Sequence, residues 1–394
     1  MGAALLLKQG SPSFRLIDRY LKIRYTFYSI TMKIIEDYIC LKSLGEEMKT
    51  VEEKNTMPPN AAVKKLIWLS VVLILIFMMS ICIGRYSISP FELIKVFFSK
   101  LFPVEKTWID QVEAVVFNIR LPRILLAILV GSCLSLAGVS YQSVFQNPMA
   151  SPDILGATSG AAFGAALAIL FGGSSIVISG LAFGFSLLTV GIVFSIGKKA
   201  PGSPVMNLIL AGIMIGSLFT AGTSFIKLVA DPTNQLPSIT YWLMGSFSGA
   251  KHYEVLYALV PMMIGTVPLL MLRWRVNLLT FGEEACRSLG VNPDRLRFVV
   301  IISSTIITAA SVSVSGMIGW VGLVIPHLCR KIIGNDLRYL MPACMLTGAG
   351  FMLLVDNISR NLLEVEIPIG ILTAVIGAPF FILLIFRGGG IEHD

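Results

Sequence analysis

Arg120 and Arg123 bracket Pro122 at the head of a run, Ile124 to Tyr141, that carries no charge, and Arg360 closes another apolar run four residues after Asp356. Guanidinium groups so placed do not make or break covalent bonds. Their chemistry is recognition, through charge-assisted hydrogen bonds to carboxylates. Two readings follow: the arginines meet an anionic partner, or they snorkel to an interface, with Arg360 free to pair with Asp356 on the same helical face. A second polar constellation is LLTFGEEACRSLGVNPDRLR, Leu278 to Arg297. Its Glu283, Glu284 and Arg287 are solvent-facing candidates in one or two short helices that stop at Gly290. Such a connection is a plain solvated loop or a contact surface for a partner.

Bond-making chemistry finds little support. Only His252, His327 and His393 are histidines, and neither H-E-x-x-H nor the phosphate-binding G-x-x-x-x-G-K-[ST] occurs. His327 follows Pro326 in SGMIGWVGLVIPHLCRKIIGNDLR, Ser315 to Arg338, where three glycines and the proline force a bend, and it reads as a structural hydrogen-bonding residue. Cys40, Cys82, Cys133, Cys286, Cys329 and Cys344 are scattered without a C-x-x-C pair and read as packing residues. No metal, disulfide or cofactor is assigned.

The elements that must position these groups are membrane helices. The 394 residues are 55% hydrophobic and 14% charged, with a mean hydropathy of +0.80, which excludes an ordinary soluble domain. The net charge of +8 does not indicate nucleic acid, because the basic residues sit in short connections between apolar runs. Ten spans are predicted: Leu66 to Ile83, Ile124 to Tyr141, Ile154 to Phe171, Ile176 to Ile196, Val205 to Val229, Val255 to Leu272, Phe298 to Val314, Met317 to Ile333, Met341 to Ile358 and Ile367 to Phe386. The third, eighth and ninth are short or interrupted by Gly and Pro, which hydrocarbon tolerates only where protein or a water-filled path surrounds the break. Gly131, Ser132, Ser135, Ala137 and Gly138, with Gly156, Gly160 and Gly164, suit close helix packing. Arg273, Arg275, Arg287, Arg295 and Arg297 crowd one connection, so that side and both termini are expected in the cytoplasm of a bacterial inner-membrane protein. Residues 1–60 are mixed in charge and form a cytoplasmic extension, with a mis-assigned start as a further reading, ahead of a membrane domain over 61–394.

RLPR (Arg120 to Arg123), LAGVSYQSVFQNPMASPDILGATSGA (Leu136 to Ala161), LILAGI (Leu208 to Ile213), YWLMGS (Tyr241 to Ser246), GEEACRSLG (Gly282 to Gly290), GMIGWVGLVIPHLCR (Gly316 to Arg330) and EIPIGILTAVIGAPFFILL (Glu366 to Leu384) together resemble the FecCD-type permeases. These are membrane subunits of type II ABC importers for iron-siderophores, haem and cobalamin. The resemblance covers nearly everything from Leu66 to Arg387. It implies an all-α, ten-helix subunit that pairs with a second permease copy, identical or paralogous, and passes substrate along the shared axis. It implies two ATPase subunits on the connection matching Leu279, Gly282, Glu283, Glu284, Ala285, Arg287, Leu289 and Gly290. It further implies an extracytoplasmic binding protein whose acidic residues engage Arg120, Arg123 and Arg360, and an inner gate at Pro204, Val205 and Met206, where the sequence departs from the small polar residues of the cobalamin permease.

The expectation is therefore a transport subunit, not an enzyme, moving an iron-siderophore or related chelate inward by alternating access, with haem or cobalamin as the alternative cargo. An ion-coupled secondary transporter would normally place carboxylates at mid-membrane, and an intramembrane enzyme would need a catalytic set. Asp356 beside Arg360 is a poor fit to either.

Overall fold

The computed structural model describes residues 58–84, 86, 88–99 and 108–387, so the amino-terminal extension lies outside the described residues. One compact unit comprises 57–286 and 292–394; of the other, 1–56 with 287–291, only 287–291 are described, as a turn in which the Gly290 amide donates to Arg287 O at 3.1 Å.

Every regular element among the described residues is helical. They are α1 (Pro59–Cys82), α2 (Pro90–Phe98), α3 (Asp110–Phe145), α4 (Ala157–Leu170), α5 (Ser175–Lys199), α6 (Pro204–Val229) and α7 (Gln235–Met244). There follow α8 (His252–Leu279), α9 (Glu283–Ser288), α10 (Pro293–Ser315), α11 (Val321–Ile333), α12 (Leu337–Asn361) and α13 (Ile369–Arg387). Seven of these, α1, α3, α5, α6, α8, α10 and α12, are long and apolar enough to cross a membrane. The protein is thus an all-α, polytopic integral membrane protein.

The other three expected spans are α4, α11 and α13. α4 has 14 residues and α11 has 13, each preceded by non-helical backbone, as the Gly and Pro interruptions suggested. The ninth expected span differs: α12 runs unbroken for 25 residues, because Pro342 falls in its second turn and the helix continues past it. The second span is longer than its apolar run. It begins at Asp110, passes through a π-helical segment, Val115–Arg120, and ends at Gln146, whose left-handed φ of 48° caps it. The short helices α2 and α7 were not expected, since each is too brief to register as a span.

Burial separates the helices into two classes. Within their most apolar windows, α3 is 78% buried, α10 72% and α12 61%, against 17% for α1 and 22% for α6. α3 is the central post, packed on α8, α10, α11 and α12. A second group, α4, α5 and α6, packs together and joins the first through α10. Small residues set the approach distances. A Cβ on Gly131 would lie 2.3 Å from Gly348 O of α12, and one on Gly138 only 1.9 Å from Gly322 O of α11. In hydrocarbon, where apolar burial gives no net drive to association, such backbone contact is what holds helices together.

Gly138→Ala is therefore expected to destabilise the folded protein by about 1–3 kcal/mol through overpacking. Gly184→Ala on α5, where nothing lies within 4 Å of the added carbon, should leave the thermal midpoint in detergent unchanged.

Candidate functional site

Three helix interruptions converge on one another. The 3-10 turn Pro152–Leu155 ends at Gly156, with φ 73°, before α4; the segment Gly316 to Trp320 separates α10 from α11; and α7 stops at Gly245. Backbone bonds join the last two of these and the start of α13: Ser246 N donates to Ser315 O at 2.8 Å, and Ile369 N, opening α13, donates to Gly245 O at 2.8 Å. The strands of chain are so close that a Cβ on Gly370 would meet Met244 O at 2.4 Å, so glycine is required there. Trp320 adopts φ 71°, a left-handed backbone that costs a non-glycine residue about 1–3 kcal/mol. Its ring packs edge-on against Phe381, with centroids 6.4 Å apart. Beside this knot lies a cavity of about 540 Å³ lined by Asp153, Thr158, Met244, Met317, Trp320 and Gly370, among others, and the Thr158 hydroxyl donates to the Asp153 carboxylate. The lining contains no Lys or Arg.

At one end of the bundle the three sequence-predicted arginines come together, but not as exposed cations. Arg120, Arg123 and Arg360 are only 4–7% exposed. Arg123 Nε donates to Asp356 Oδ1 at 2.8 Å, while its Nη1 donates to both oxygens of Glu366 at 2.8 and 2.9 Å. Arg360 Nε lies 3.2 Å from Asp356 Oδ2, and its Nη2 donates to Ser80 O and to Asn357. Arg120 donates to the carbonyls of Ile81 and Cys82, which α1 leaves unpaired where it ends, and to that of Tyr86 beyond it. The expectation that these side chains offer their charge outward is corrected in this respect: a buried guanidinium must be paired, and Asp356, Glu366 and the carbonyls after α1 supply the partners. The pairing of Arg360 with Asp356 is the alternative that their four-residue spacing had left open. Glu366 and Ser80 had no sequence signal, lying 243 and 280 positions from the arginines they meet, and Asn357, three residues before Arg360, was passed over.

At the opposite end, Leu279 closes α8 and is buried, Gly282 has φ 96°, and α9 carries Glu283, Glu284, Ala285 and Arg287, with Leu289 and Gly290 following. Glu284 and Arg287 are exposed, and Glu283 pairs with Arg297 of α10. Two glutamines that sequence reading passed over brace this end: Gln146 donates to Leu279 O, and Gln142 accepts from Arg330 Nη1. Asn277 Nδ2 donates to Asp336 Oδ1 at 2.9 Å, and the Leu337 amide donates to Asn277 Oδ1, tying α8 to the start of α12. Burial raises the Asp336 carboxyl, but hydrogen bonds from the side chain and amide of Arg338 and from Asn277 outweigh it, so the group sits below the usual carboxylate range. Pro204, Val205 and Met206 form the first turn of α6, with Pro204 and Met206 exposed. His327 Nε2 is buried without a hydrogen-bond partner, so the structural bond expected of that residue is not made at this atom. Among the described residues, no group of three or more His, Cys, Asp or Glu side chains is placed to hold a metal ion.

Comparison with known proteins matches this architecture. The FecCD transport family matches residues 72–387. The molybdate import system permease protein MolB of Haemophilus influenzae is 43% identical over 84% of this chain and 99% of its own length. A probable iron chelatin transport system permease protein of Helicobacter pylori is 38% identical over 72% of this chain and 86% of its own length. A solved structure described as an inward-facing conformation of a metal-chelate type ABC transporter is 41% identical, covers 82% of this chain and 99% of that one, and superposes with a TM-score of 0.74.

Asp356→Asn removes the charge that faces both Arg123 and Arg360, and is expected to cost about 3–5 kcal/mol, read as a lowered thermal midpoint in detergent. The Asp336 stabilisation runs the other way from a histidine: with a depressed folded pKa it is complete above the unfolded value of about 3.9 and is lost as pH falls through the lower folded value. Asp336→Asn should reduce stability at neutral pH and flatten that acid-side loss in a pH series of thermal midpoints.

Proposed function

Because the chain belongs to the FecCD transport family, we propose that it is the membrane permease of an ATP-driven importer that moves an iron-siderophore or related metal chelate inward. It pairs with a second permease copy, and the conduit runs between the two. The observation that carries the reading is the knot of three helix interruptions beside a cavity: backbone freed from helical bonding survives in a bilayer only where protein or an aqueous path covers it.

Energy comes from outside this chain. Two ATPase subunits seat on α9 and its flanks, with Glu283, Glu284 and Arg287 as polar contacts, and the bracing by Gln146 connects that surface to the turn before the cavity. An extracytoplasmic binding protein docks at the arginine end. There Arg120, Arg123 and Arg360 act as positioning residues: they anchor the chain after α1 and the Leu362 to Pro368 connection, whose Leu362, Leu363 and Val365 are exposed. The α9 side, and with it both termini, is cytoplasmic, in keeping with its arginines. The first turn of α6, Pro204 to Met206, serves as the inner gate.

The cargo reading rests on the cavity lining. A carboxylate and apolar side chains without a cation suit a chelate with an apolar periphery better than a bare oxyanion. Molybdate is the second reading, favoured by the 43% identity to MolB.

The test is uptake into liposomes holding the permease pair with its ATPase, supplied with the matching binding protein. Accumulation of ferric siderophore that requires ATP is expected. Accumulation of molybdate alone would overturn the cargo, and uphill uptake driven by an ion gradient without nucleotide would overturn the importer class. Replacing the exposed Glu284 by Arg should lower ATP-driven uptake without lowering the thermal midpoint.

A further inference from the structure

Between the end of α5, the start of α6 and the start of α10 lies a groove of about 820 Å³, bordered by Pro204 of the proposed inner gate but otherwise unused by the transport reading. Its floor is apolar, formed by Phe194, Leu208, Phe298, Val299 and Ile301, with the rings of Phe194 and Phe298 5.0 Å apart. Its rim is cationic: Lys198 and Arg295 are exposed there, and Arg297 lines it from within. Arg297 is 11% exposed and pairs through one terminal nitrogen with Glu283, while its buried Nε has no hydrogen-bond partner. Asp294 is the opposing carboxylate in the lining, so with Arg297 paired to Glu283 the two exposed cations Lys198 and Arg295 face one acid there. Phe298 and Val299 remain 43% and 37% exposed beside the charges.

A water-soluble ligand would satisfy the rim and leave the aromatic floor wet. A lipid tail alone would cover the floor and leave Lys198 and Arg295 with only the carboxylate of Asp294 to face, since Arg297 is paired with Glu283. The arrangement matches a molecule with an anionic head and an apolar body, presented where one membrane helix ends and two begin. We propose that this groove binds an anionic phospholipid such as phosphatidylglycerol, its phosphate between Lys198 and Arg295 and its acyl chain along Phe194, Phe298 and Ile301.

The full-length permease would be incorporated in nanodiscs of mixed phosphatidylcholine and phosphatidylglycerol, and the lipid retained after extraction measured by native mass spectrometry. Preferential retention of phosphatidylglycerol is expected. The Lys198→Gln, Arg295→Gln pair should weaken it about thirtyfold, the product of about fivefold per surface charge. The charge-conserving pair Lys198→Arg, Arg295→Lys should retain it, and thermal midpoints of both pairs should match the parent. Equal retention by the parent and the Gln pair would overturn the proposal, as would equal loss in the charge-conserving pair. Complete displacement by inorganic phosphate or by glycerophosphoglycerol, a headgroup without chains, would reassign the rim to free anions. A changed oligomeric state in the Gln pair with lipid retention unaltered would assign the groove to a second copy of the chain.

Discussion

A backbone amide or carbonyl released from a helix inside a bilayer finds no water, and the architecture of this protein follows from where such groups are released and what recovers them. The chain breaks before α4, before α11 and after α7; the break after α7 bonds to the end of α10 and to the first residue of α13, while the turn before α4 recovers its groups locally, Gly156 N donating to Asp153 O. Chain segments can come that near only without side chains between them, which accounts for Gly245, Gly316 and Gly370 at the meeting point. The same need places the arginine end: the carbonyls after α1 lose their helical partners at Ile81 and Cys82, and Arg120 provides them.

Charge inside the protein obeys a parallel rule. Asp356 is fully buried and would be intolerable alone, yet it lies between Arg123 and Arg360, and Glu366 takes the remaining reach of Arg123. The network joins α3, α12 and the connection before α13, so this end of the bundle is held by paired groups and is not a set of free cationic arms. The other end is built differently, with amide braces, Gln146 on Leu279 and Asn277 on Asp336, beside the more exposed Glu283–Arg297 and Asp336–Arg338 pairs.

Much of this was legible in the residues. Uncharged helix-length runs betrayed the membrane class, and the glycines of α3 and α4 marked the close contacts, since Gly131, Gly138, Gly160 and Gly164 all sit where a Cβ would collide. The interruptions before α4 and α11 could be read from Gly and Pro. Proline misled at α12, because Pro342 near a helix start ends nothing, and the hydropathy of α3 concealed its polar beginning at Asp110, where a π-helical segment extends the span.

The sequence by itself determined that the chain resides in a membrane, roughly where it crosses, and which residues carry the charge, because apolar run length and side-chain chemistry are local properties. Only the tertiary structure decided what those charges face. Whether Arg123 points to a partner or to Asp356 and Glu366 depends on residues 233 and 243 positions away, and no periodicity or spacing within a single helix encodes a contact that exists only once the helices have packed.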